Sequence, residues 1–157
     1  MHPADAIPLF EAAAGPAYHR QTVTDPDPRT MPTQQEINKQ NVLDFYDCLI
    51  NRKDFEAARA YVGPGYTQHN PLWPSGIDGM RTFAETLKRD FPHARSEIKR
   101  AFADGDHVIL HIHSVRTPGS RGRAIVDIFR MEQGKIVEHW DVIQDIPETS
   151  ANPNGMF

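Results

Sequence analysis

Residues 126–145 read VDIFRMEQGKIVEHWDVIQD, and this stretch predicts the β-hairpin on which the fold depends. Residues 131–135 suit a three-residue loop in which a glycine takes the left-handed conformation. That loop pairs Asp127 with His139, so alternate side chains of both strands share a face. One face then carries Asp127, Phe129, Val137, His139, Asp141 and Ile143. The other face carries Ile128, Arg130, Ile136, Glu138 and Trp140.

The sequence around this hairpin keeps the two-residue period of β-strands from residue 94 onward. Four strands are predicted, at about residues 94–103, 106–116, 123–131 and 135–145, joined by the segments DGD, TPGSRG and EQG. Helical spacing dominates the residues before Pro92. Helices followed by a run of antiparallel strands indicate an α+β fold, with the helices packed on one face of a curved sheet.

Three helices are predicted ahead of the strands. Thr33 to Glu36 reads TQQE, which fits a capping box at the start of the first helix. The apolar stripe of this helix consists of Val42, Phe45, Tyr46, Leu49 and Ile50. A second, shorter helix carries Phe55, Ala58, Tyr61 and Val62, and the Gly-Pro-Gly sequence at residues 63–65 ends it. The third, capped by Ser75 or Asp78, carries Met80, Phe83, Ala84 and Leu87.

Residues 1–32 differ in composition from the rest of the chain. Six of the 13 prolines fall there, which disfavours both helix and sheet. We therefore predict a proline-rich N-terminal arm at residues 1–32 and a single folded domain at residues 33–157.

Length and composition limit the classes of function. A chain of 157 residues is one domain, and a net charge of -4 with a pI near 6.0 provides no basic surface for nucleic acid. No stretch approaches the roughly 18 apolar residues that cross a bilayer. Pro8 and Glu11 interrupt AIPLFEAAA, which is therefore unlike a signal peptide. The single cysteine, Cys48, forms no internal disulfide, and these features favour a cytoplasmic protein without nucleic-acid or membrane partners.

Three ionisable groups fall on the face of the hairpin that we expect the helices to cover, namely Asp127, His139 and Asp141. A carboxylate on a covered apolar face costs several kcal/mol unless it is paired, hydrogen-bonded or protonated. Phe129 and Ile143 flank these groups. The pattern therefore predicts the polar floor of a mostly hydrophobic pocket.

Several motifs are similar to those of a known family. These are YTQHNP at residues 66–71, Asp78-Gly79 before a helix, and the hairpin quoted above. Together they resemble the SnoaL-like proteins, relatives of the polyketide cyclases within the nuclear transport factor two-like superfamily, over roughly residues 34–157. The hairpin block resembles the subgroup described as predicted aldol-condensation enzymes. The resemblance implies a cone-shaped α+β barrel, in which three N-terminal helices close a strongly curved antiparallel sheet, and a homodimer through the outer sheet face.

The resemblance also implies roles for the polar residues. In polyketide cyclases an aspartate near the end of the last strand acts as acid or base on a carbonyl substrate, and a polar residue about one hairpin earlier assists it. These positions fall near Asp141 and Asp127, respectively. At the position of Asp127 the cyclases tend to have a histidine. From the chemistry of the residues themselves, we expect Asp127 and His139 to tune the pKa of Asp141 or to relay its proton, and His69 at the pocket mouth to donate to the substrate oxygen. These four residues are the predicted catalytic set.

The pocket wall supplies a second set of predicted residues. The predicted substrate-binding residues are Tyr66, Trp73, Phe129, His111, His113 and Ile143. His111 and His113 share one face of the strand HVILHIHSV, but the longer loop that follows leaves open which face that is. The arginines within residues 116–123 are interpreted as solvated loop side chains rather than as an anion site.

We therefore predict an acid–base enzyme without cofactor or metal, which acts on a small hydrophobic carbonyl compound by aldol cyclisation, isomerisation or dehydration. The alternative is a non-catalytic module of the same fold that binds a small ligand or forms a dimer. A metal site is chemically conceivable from His69, His111, His113, His139 and Asp127. It is disfavoured because His-x-His on a strand is a weak signal.

Overall fold

The computed structural model describes residues 31–157, so the predicted arm lies outside the described residues except for its last two positions. The helical segments of this part are α1 (Gln34–Tyr46), a π-helical turn (Asp47–Asn51) that continues it, α2 (Phe55–Arg59) and α3 (Gly76–Asp90). The strands are β1 (Val62–Gln68), β2 (Arg95–Asp104), β3 (His107–Val115), β4 (Arg123–Glu132) and β5 (Lys135–Asp145). The predicted α+β class is confirmed, and β1 is an additional strand. No helix among the described residues is long and apolar enough to span a bilayer.

Helix α1 begins with the predicted capping box. The backbone N–H of Thr33 donates to Oε2 of Glu36 at 2.7 Å, and the Thr33 hydroxyl accepts from the Glu36 backbone N–H at 3.3 Å. Each bond satisfies an amide that a helix start leaves without a partner. Further along the helix, Phe45 meets Phe129 of β4 edge to face, with ring centroids 5.9 Å apart. This contact joins the helical layer to the sheet.

The core forms between the helices and one face of the sheet, which we call the inner face. On β3, Val108, Leu110 and Ile112 are fully buried, whereas the residues between them are only partly buried. Such alternation is what a sheet covered on one side imposes on its strands. The opposite, outer face carries the remaining side chains.

Strand β1 corrects the sequence interpretation, in which a Gly-Pro-Gly sequence ends a helix. Helix α2 stops at Arg59, and β1 then runs parallel to β5. The pairing is interrupted between Val62 and Thr67, where the Gly-Pro-Gly sequence lies. Proline has no N–H to donate, and an edge strand with broken pairing tolerates it. The sheet is therefore mixed rather than purely antiparallel, in the order β1-β5-β4-β3-β2, with open edges at β1 and β2.

The β4–β5 hairpin has a different register from the predicted one. Its turn contains only residues 133–134, both with positive φ (50° and 76°), which is the geometry of a two-residue hairpin loop. A second irregularity precedes the turn, so Asp127 pairs with Asp141 rather than with His139. The two effects together move the register by two positions. Because side chains alternate with period two, such a shift leaves the side chains beyond the irregularity, on the side away from the turn, on their predicted faces.

The faces do change next to the turn. Ile136 is fully buried in the core, although the predicted register places it on the outer face. Val137, which the same register places on the inner face, does not belong to the core cluster. The irregular pairing explains this exchange, because an extra residue in one strand reverses the alternation on its turn side.

Helix α3 packs closely against the loop at residues 69–75 through Gly79. A β-carbon added at Gly79 would lie 1.9 Å from the Pro74 carbonyl oxygen, far inside contact distance. The same loop carries Asn70 and Trp73, whose side chains line the cavity described below. The missing side chain at Gly79 therefore lets the loop reach its position.

Replacing Gly79 by alanine is expected to destabilise the protein by about 1–3 kcal/mol, because the loop backbone must move away from the helix. At an unobstructed helical position the same change stabilises by roughly 0.5–1 kcal/mol. Denaturant unfolding followed by circular dichroism measures the free-energy difference, with Glu85→Ala at an exposed position of α3 as the control. A variant as stable as the unsubstituted protein would contradict the close packing.

Candidate active site

A cavity lies between the helices and the inner face of β1, β4 and β5. Its walls are largely aromatic, and they include Tyr46, Tyr66, Trp73, Phe83 and Phe129. Trp73 packs edge to face on Phe83, with ring centroids 4.9 Å apart. The space measures about 720 Å³ when its solvent-open part is included, so the enclosed volume is smaller than this.

A continuous chain of hydrogen bonds crosses the floor of this cavity. Nε2 of Gln68 donates to the Tyr66 hydroxyl at 3.1 Å, and Oε1 of Gln68 lies 2.9 Å from Nδ1 of His139. Nε2 of His139 lies 3.3 Å from Oδ1 of Asp127. Tyr66 and Gln68 come from β1, His139 from β5 and Asp127 from β4, so three adjacent strands position the chain.

The chain also determines where the imidazole proton of His139 lies. The backbone N–H of Asn70 donates to Oε1 of Gln68 at 2.9 Å, which identifies that atom as the amide oxygen. Nδ1 of His139 must therefore donate to Gln68. Nε2 then faces Asp127 either as acceptor from a protonated carboxyl or as donor to a carboxylate. In both cases the Asp127–His139 pair shares one proton.

Burial raises the pKa of Asp127 above its ordinary value of 3.8, and the hydrogen bond from His139 partly offsets this effect. The charge of nearby Asp141 adds to the increase. The Asp127 side chain is only 7% exposed. Burial likewise raises the pKa of the Tyr46 and Tyr66 hydroxyls, so both phenols stay protonated at neutral pH. Burial in the cavity therefore favours the protonated form of all three side chains.

Asp141 lies beside this chain and is held by Asn70. Nδ2 of Asn70 donates to Oδ2 of Asp141 at 2.6 Å, and Oδ1 of Asn70 accepts from the Leu72 backbone N–H at 2.9 Å. One ligating atom from each of Asp127, His139 and Asp141 lies within 4.8 Å of the others. Asp141 is only partly buried, so its carboxylate is accessible to a ligand in the cavity.

The same three groups offer the donor atoms of a divalent metal site. Two carboxylates and one imidazole suit zinc, iron or manganese. Gln68 accepts the Nδ1 proton of His139, and metal-bound histidines characteristically donate their second ring N–H in this way. Of the histidines considered for a metal site from the sequence, this group contains His139 alone.

Seven of the predicted site residues line the cavity, namely Tyr66, Trp73, Asp127, Phe129, His139, Asp141 and Ile143. His69 is not among them. Nε2 of His69 lies 2.8 Å from Oε1 of Glu138, and its ring stacks on Trp140 with centroids 4.8 Å apart. Side chains alternate along an extended chain, so Asn70 takes the inward position and His69 the outward one.

His111 and His113 lie on the outer face of the sheet, because the residues between and before them on β3 fill the core. Nδ1 of His111 lies 2.9 Å from a guanidinium nitrogen of Arg100. Both imidazoles contact the ring of Phe157, with centroids 5.3 and 4.8 Å apart. The structure therefore does not bring these two histidines to the cavity.

The cavity contains polar residues that the sequence analysis does not identify as site residues. They are Tyr46, Gln68, Asn70, Arg116 and Arg123. Counting by two from Tyr66 would have found Gln68 and Asn70, had β1 been recognised as a strand. Arg116 and Arg123 contradict the interpretation of the loop arginines as solvated, because both line the cavity.

The fold and the site define a class of protein in which helices cover one face of a mixed sheet, and this inner face carries an acid–imidazole–acid cluster in a largely apolar cavity. The SnoaL-like domain family matches residues 42–139, more than half of the chain, and the protein belongs to this family. The resemblance stated from the sequence is thereby confirmed. Among curated proteins, none matches significantly.

Solved structures share the fold at low sequence identity. AclR from Streptomyces galilaeus, provisionally named a hydroxylase, is 24% identical, with 71% of this chain and 91% of that one covered and a TM-score of 0.60. A Bacillus cereus protein provisionally named a polyketide cyclase is 21% identical, with coverages of 71% and 78% and a TM-score of 0.61. An NTF2-like protein of unknown function from Cytophaga hutchinsonii is 20% identical, with coverages of 74% and 94% and a TM-score of 0.58. At these identities the likeness shows the fold alone.

An NMR titration is expected to give Asp127 a midpoint above the 3.8 of an ordinary aspartate, because burial disfavours its ionised form. A raised folded-state pKa contributes stability below the unfolded pKa, and this stability is lost as the pH rises through the folded pKa. The unfolding free energy of the protein minus that of Asp127→Asn should therefore fall as the pH rises above 3.8.

Asp90 serves as the internal control for this titration. It is exposed, and its hydrogen bond with Arg89 lowers its pKa, so its midpoint should lie below the ordinary value. An Asp127 midpoint at or below that of a typical aspartate would show that burial does not perturb the group.

Proposed function

We propose that this protein is an acid–base enzyme that uses neither metal nor organic cofactor and acts on a small hydrophobic carbonyl compound. The observation that carries the proposal is the Asp127–His139–Asp141 cluster on the floor of an otherwise largely apolar cavity. Aldol cyclisation, isomerisation and dehydration all need a base beside the carbonyl and a group that stabilises the resulting enolate. Membership of the SnoaL-like family, and the neighbour provisionally named a polyketide cyclase, support such chemistry.

Asp141 is the proposed base. Asn70 holds one of its oxygens at 2.6 Å, and the other oxygen accepts no hydrogen bond from the residues at 31–157. That oxygen takes the proton from the carbon next to the substrate carbonyl. The electrons of the broken C–H bond form the enolate, whose oxygen takes up the negative charge.

Asp127 and His139 form the proposed acid. Their shared proton stabilises the enolate oxygen by hydrogen bonding, or it is transferred to that oxygen and returns to the pair when the carbonyl re-forms. Gln68 keeps the imidazole in the required orientation. In an aldol closure the enolate carbon attacks a second carbonyl, and Asp141 returns its proton to the new alkoxide. In an isomerisation Asp141 returns the proton to a different carbon. His69 has no part in these steps, because its side chain lies on the outer face.

Asp141→Asn is expected to lower turnover by at least about 100-fold, since proton transfer by a positioned side chain contributes roughly 10²–10⁴-fold. The assay follows enol or enone absorbance with a panel of β-dicarbonyl and enone compounds. Glu138→Gln is the matched control, because Glu138 is on the same strand but does not line the cavity. Its Oε2 atom accepts a hydrogen bond from Nε of Arg130 at 2.7 Å. Unchanged activity in Asp141→Asn would remove this residue from the mechanism.

Two measurements in the same assay separate this proposal from its alternatives. Activity that survives dialysis against EDTA supports metal-free chemistry, whereas loss on dialysis and recovery with zinc or iron favours the metal site. Binding of panel compounds without turnover would favour a non-catalytic ligand-binding module of the same fold.

We also propose a homodimer that forms through the outer sheet face. Ile109, Ile128 and Trp140 are successive cross-strand partners there, and Val126 pairs with Val142 in the next row. Val126 is 39% exposed and Val142 is 70% exposed. Adjacent apolar rows open to solvent are typical of contact surfaces between proteins.

Val142→Glu is expected to convert the dimer to a monomer, because association would bury an unpaired carboxylate at a cost of several kcal/mol. Size-exclusion chromatography with light scattering measures the mass in solution. Leu72→Glu is the control, since Leu72 is 77% exposed but lies in the loop before α3. A monomeric unsubstituted protein, or a dimer that tolerates Val142→Glu, would refute the proposed interface.

A further inference from the structure

Arg116 and Arg123 line the cavity at a distance from the acid–imidazole cluster. Arg123 lies on β4 four residues before Asp127, on the same face, so their Cα atoms are about 13 Å apart along the strand. Arg116 follows the end of β3, and its Cζ atom lies 5.0 Å from the centroid of the Phe91 ring. This cation–π contact positions the guanidinium at the cavity wall. Both arginines are partly buried.

Neither guanidinium forms an ion pair or a side-chain hydrogen bond with the part of the chain that the structure describes. Two acids outside the cavity lie in the same region, namely Asp145, the cross-strand partner of Arg123, and Glu148. Both line the adjoining groove with Arg121, but neither lies within ion-pair distance of the two cavity arginines. Partly buried cations are normally paired, so two guanidiniums that have no anionic partner among these residues point to an anionic ligand.

The two guanidiniums also act on each other. Burial lowers the pKa of Arg116, and the positive charge of Arg123 lowers it further. An anion bound to both would offset this repulsion and accept several of their N–H donors. Guanidinium groups bind planar carboxylates in a bidentate manner, which gives them orientation as well as charge.

The local charge favours a monoanion. Among the residues that line the cavity, Arg116 and Arg123 contribute two positive charges and Asp141 one negative charge, while the Asp127–His139 pair with its one shared proton is neutral, which leaves a net charge of +1. A carboxylate neutralises this charge, whereas a phosphate monoester, with about −1.5 to −2 charges at neutral pH, exceeds it.

We propose that the substrate carries a carboxylate, which Arg116 and Arg123 bind while the reactive carbonyl lies at the Asp127–His139–Asp141 cluster. The assignment of the reactive end rests on the proposed function, but the anion site stands on the two arginines alone. The roughly 13 Å between the Cα atoms of Arg123 and Asp127 favours a substrate whose carboxylate and carbonyl are separated by several bonds.

The test uses unreactive ligands, so that binding is measured independently of turnover. The probe pair is 4-phenylbutanoate and its primary amide, which share shape and apolar surface but differ in charge. Isothermal titration calorimetry is expected to show at least about tenfold tighter binding of the carboxylate, as charge-assisted hydrogen bonds contribute more than neutral ones. Arg116→Gln and Arg123→Gln should each reduce this preference severalfold while leaving amide binding unchanged.

Arg121→Gln is the matched control, because it removes the same charge from the adjoining groove without touching the cavity lining. It should keep the preference, as should Asp141→Asn, which separates anion binding from catalysis. Circular dichroism confirms that each variant is folded, and Arg123→Lys should retain part of the preference. Equal binding of acid and amide, no measurable binding of the carboxylate, an unchanged preference in both glutamine variants, or tighter binding of phenylpropyl phosphate would each overturn the proposal.

Discussion

Asp127 lies on the covered face of the sheet with 5% of its surface exposed, and the arrangement of the site follows from how this carboxyl is accommodated. Isolated in an apolar wall it would cost several kcal/mol, and His139 provides the partner. His139 in turn needs an acceptor for its second ring nitrogen, and Gln68 supplies it. Gln68 reaches this position because β1 pairs with β5 at the sheet edge. The packing of one acid therefore links three strands.

The cavity is chemically divided along β4. Asp127 and its partners occupy one end of the strand's inner face, and Arg123 the other, with Ile125 between them. In the proposed complex, hydrophobic walls hold the body of the substrate, while opposite charge types at the two ends give it a direction. Strand β4 sets the spacing between these ends, so the same element that forms part of the core also separates the two ends of the proposed site.

Local periodicity accounts for what the sequence predicts correctly about the hairpin. The predicted register pairs Asp127 with His139, whereas the structure pairs it with Asp141. The error amounts to two positions, and side-chain alternation is unchanged by an even shift. For this reason the acids are correctly predicted to face inward, although the predicted turn type is wrong. Close to the turn, where the bulge acts, Ile136 departs from its predicted face.

The sequence by itself determined the α+β class, the four later strands and the inward acid–imidazole cluster, because these depend on the spacing of neighbouring residues. Tertiary structure alone decided that a Gly-Pro-Gly segment becomes an edge strand, that Asn70 rather than His69 enters the cavity, and that Arg116 lines it. Each of these depends on which distant strand or helix a segment packs against. Such contacts join residues far apart in the chain, and no local pattern records them.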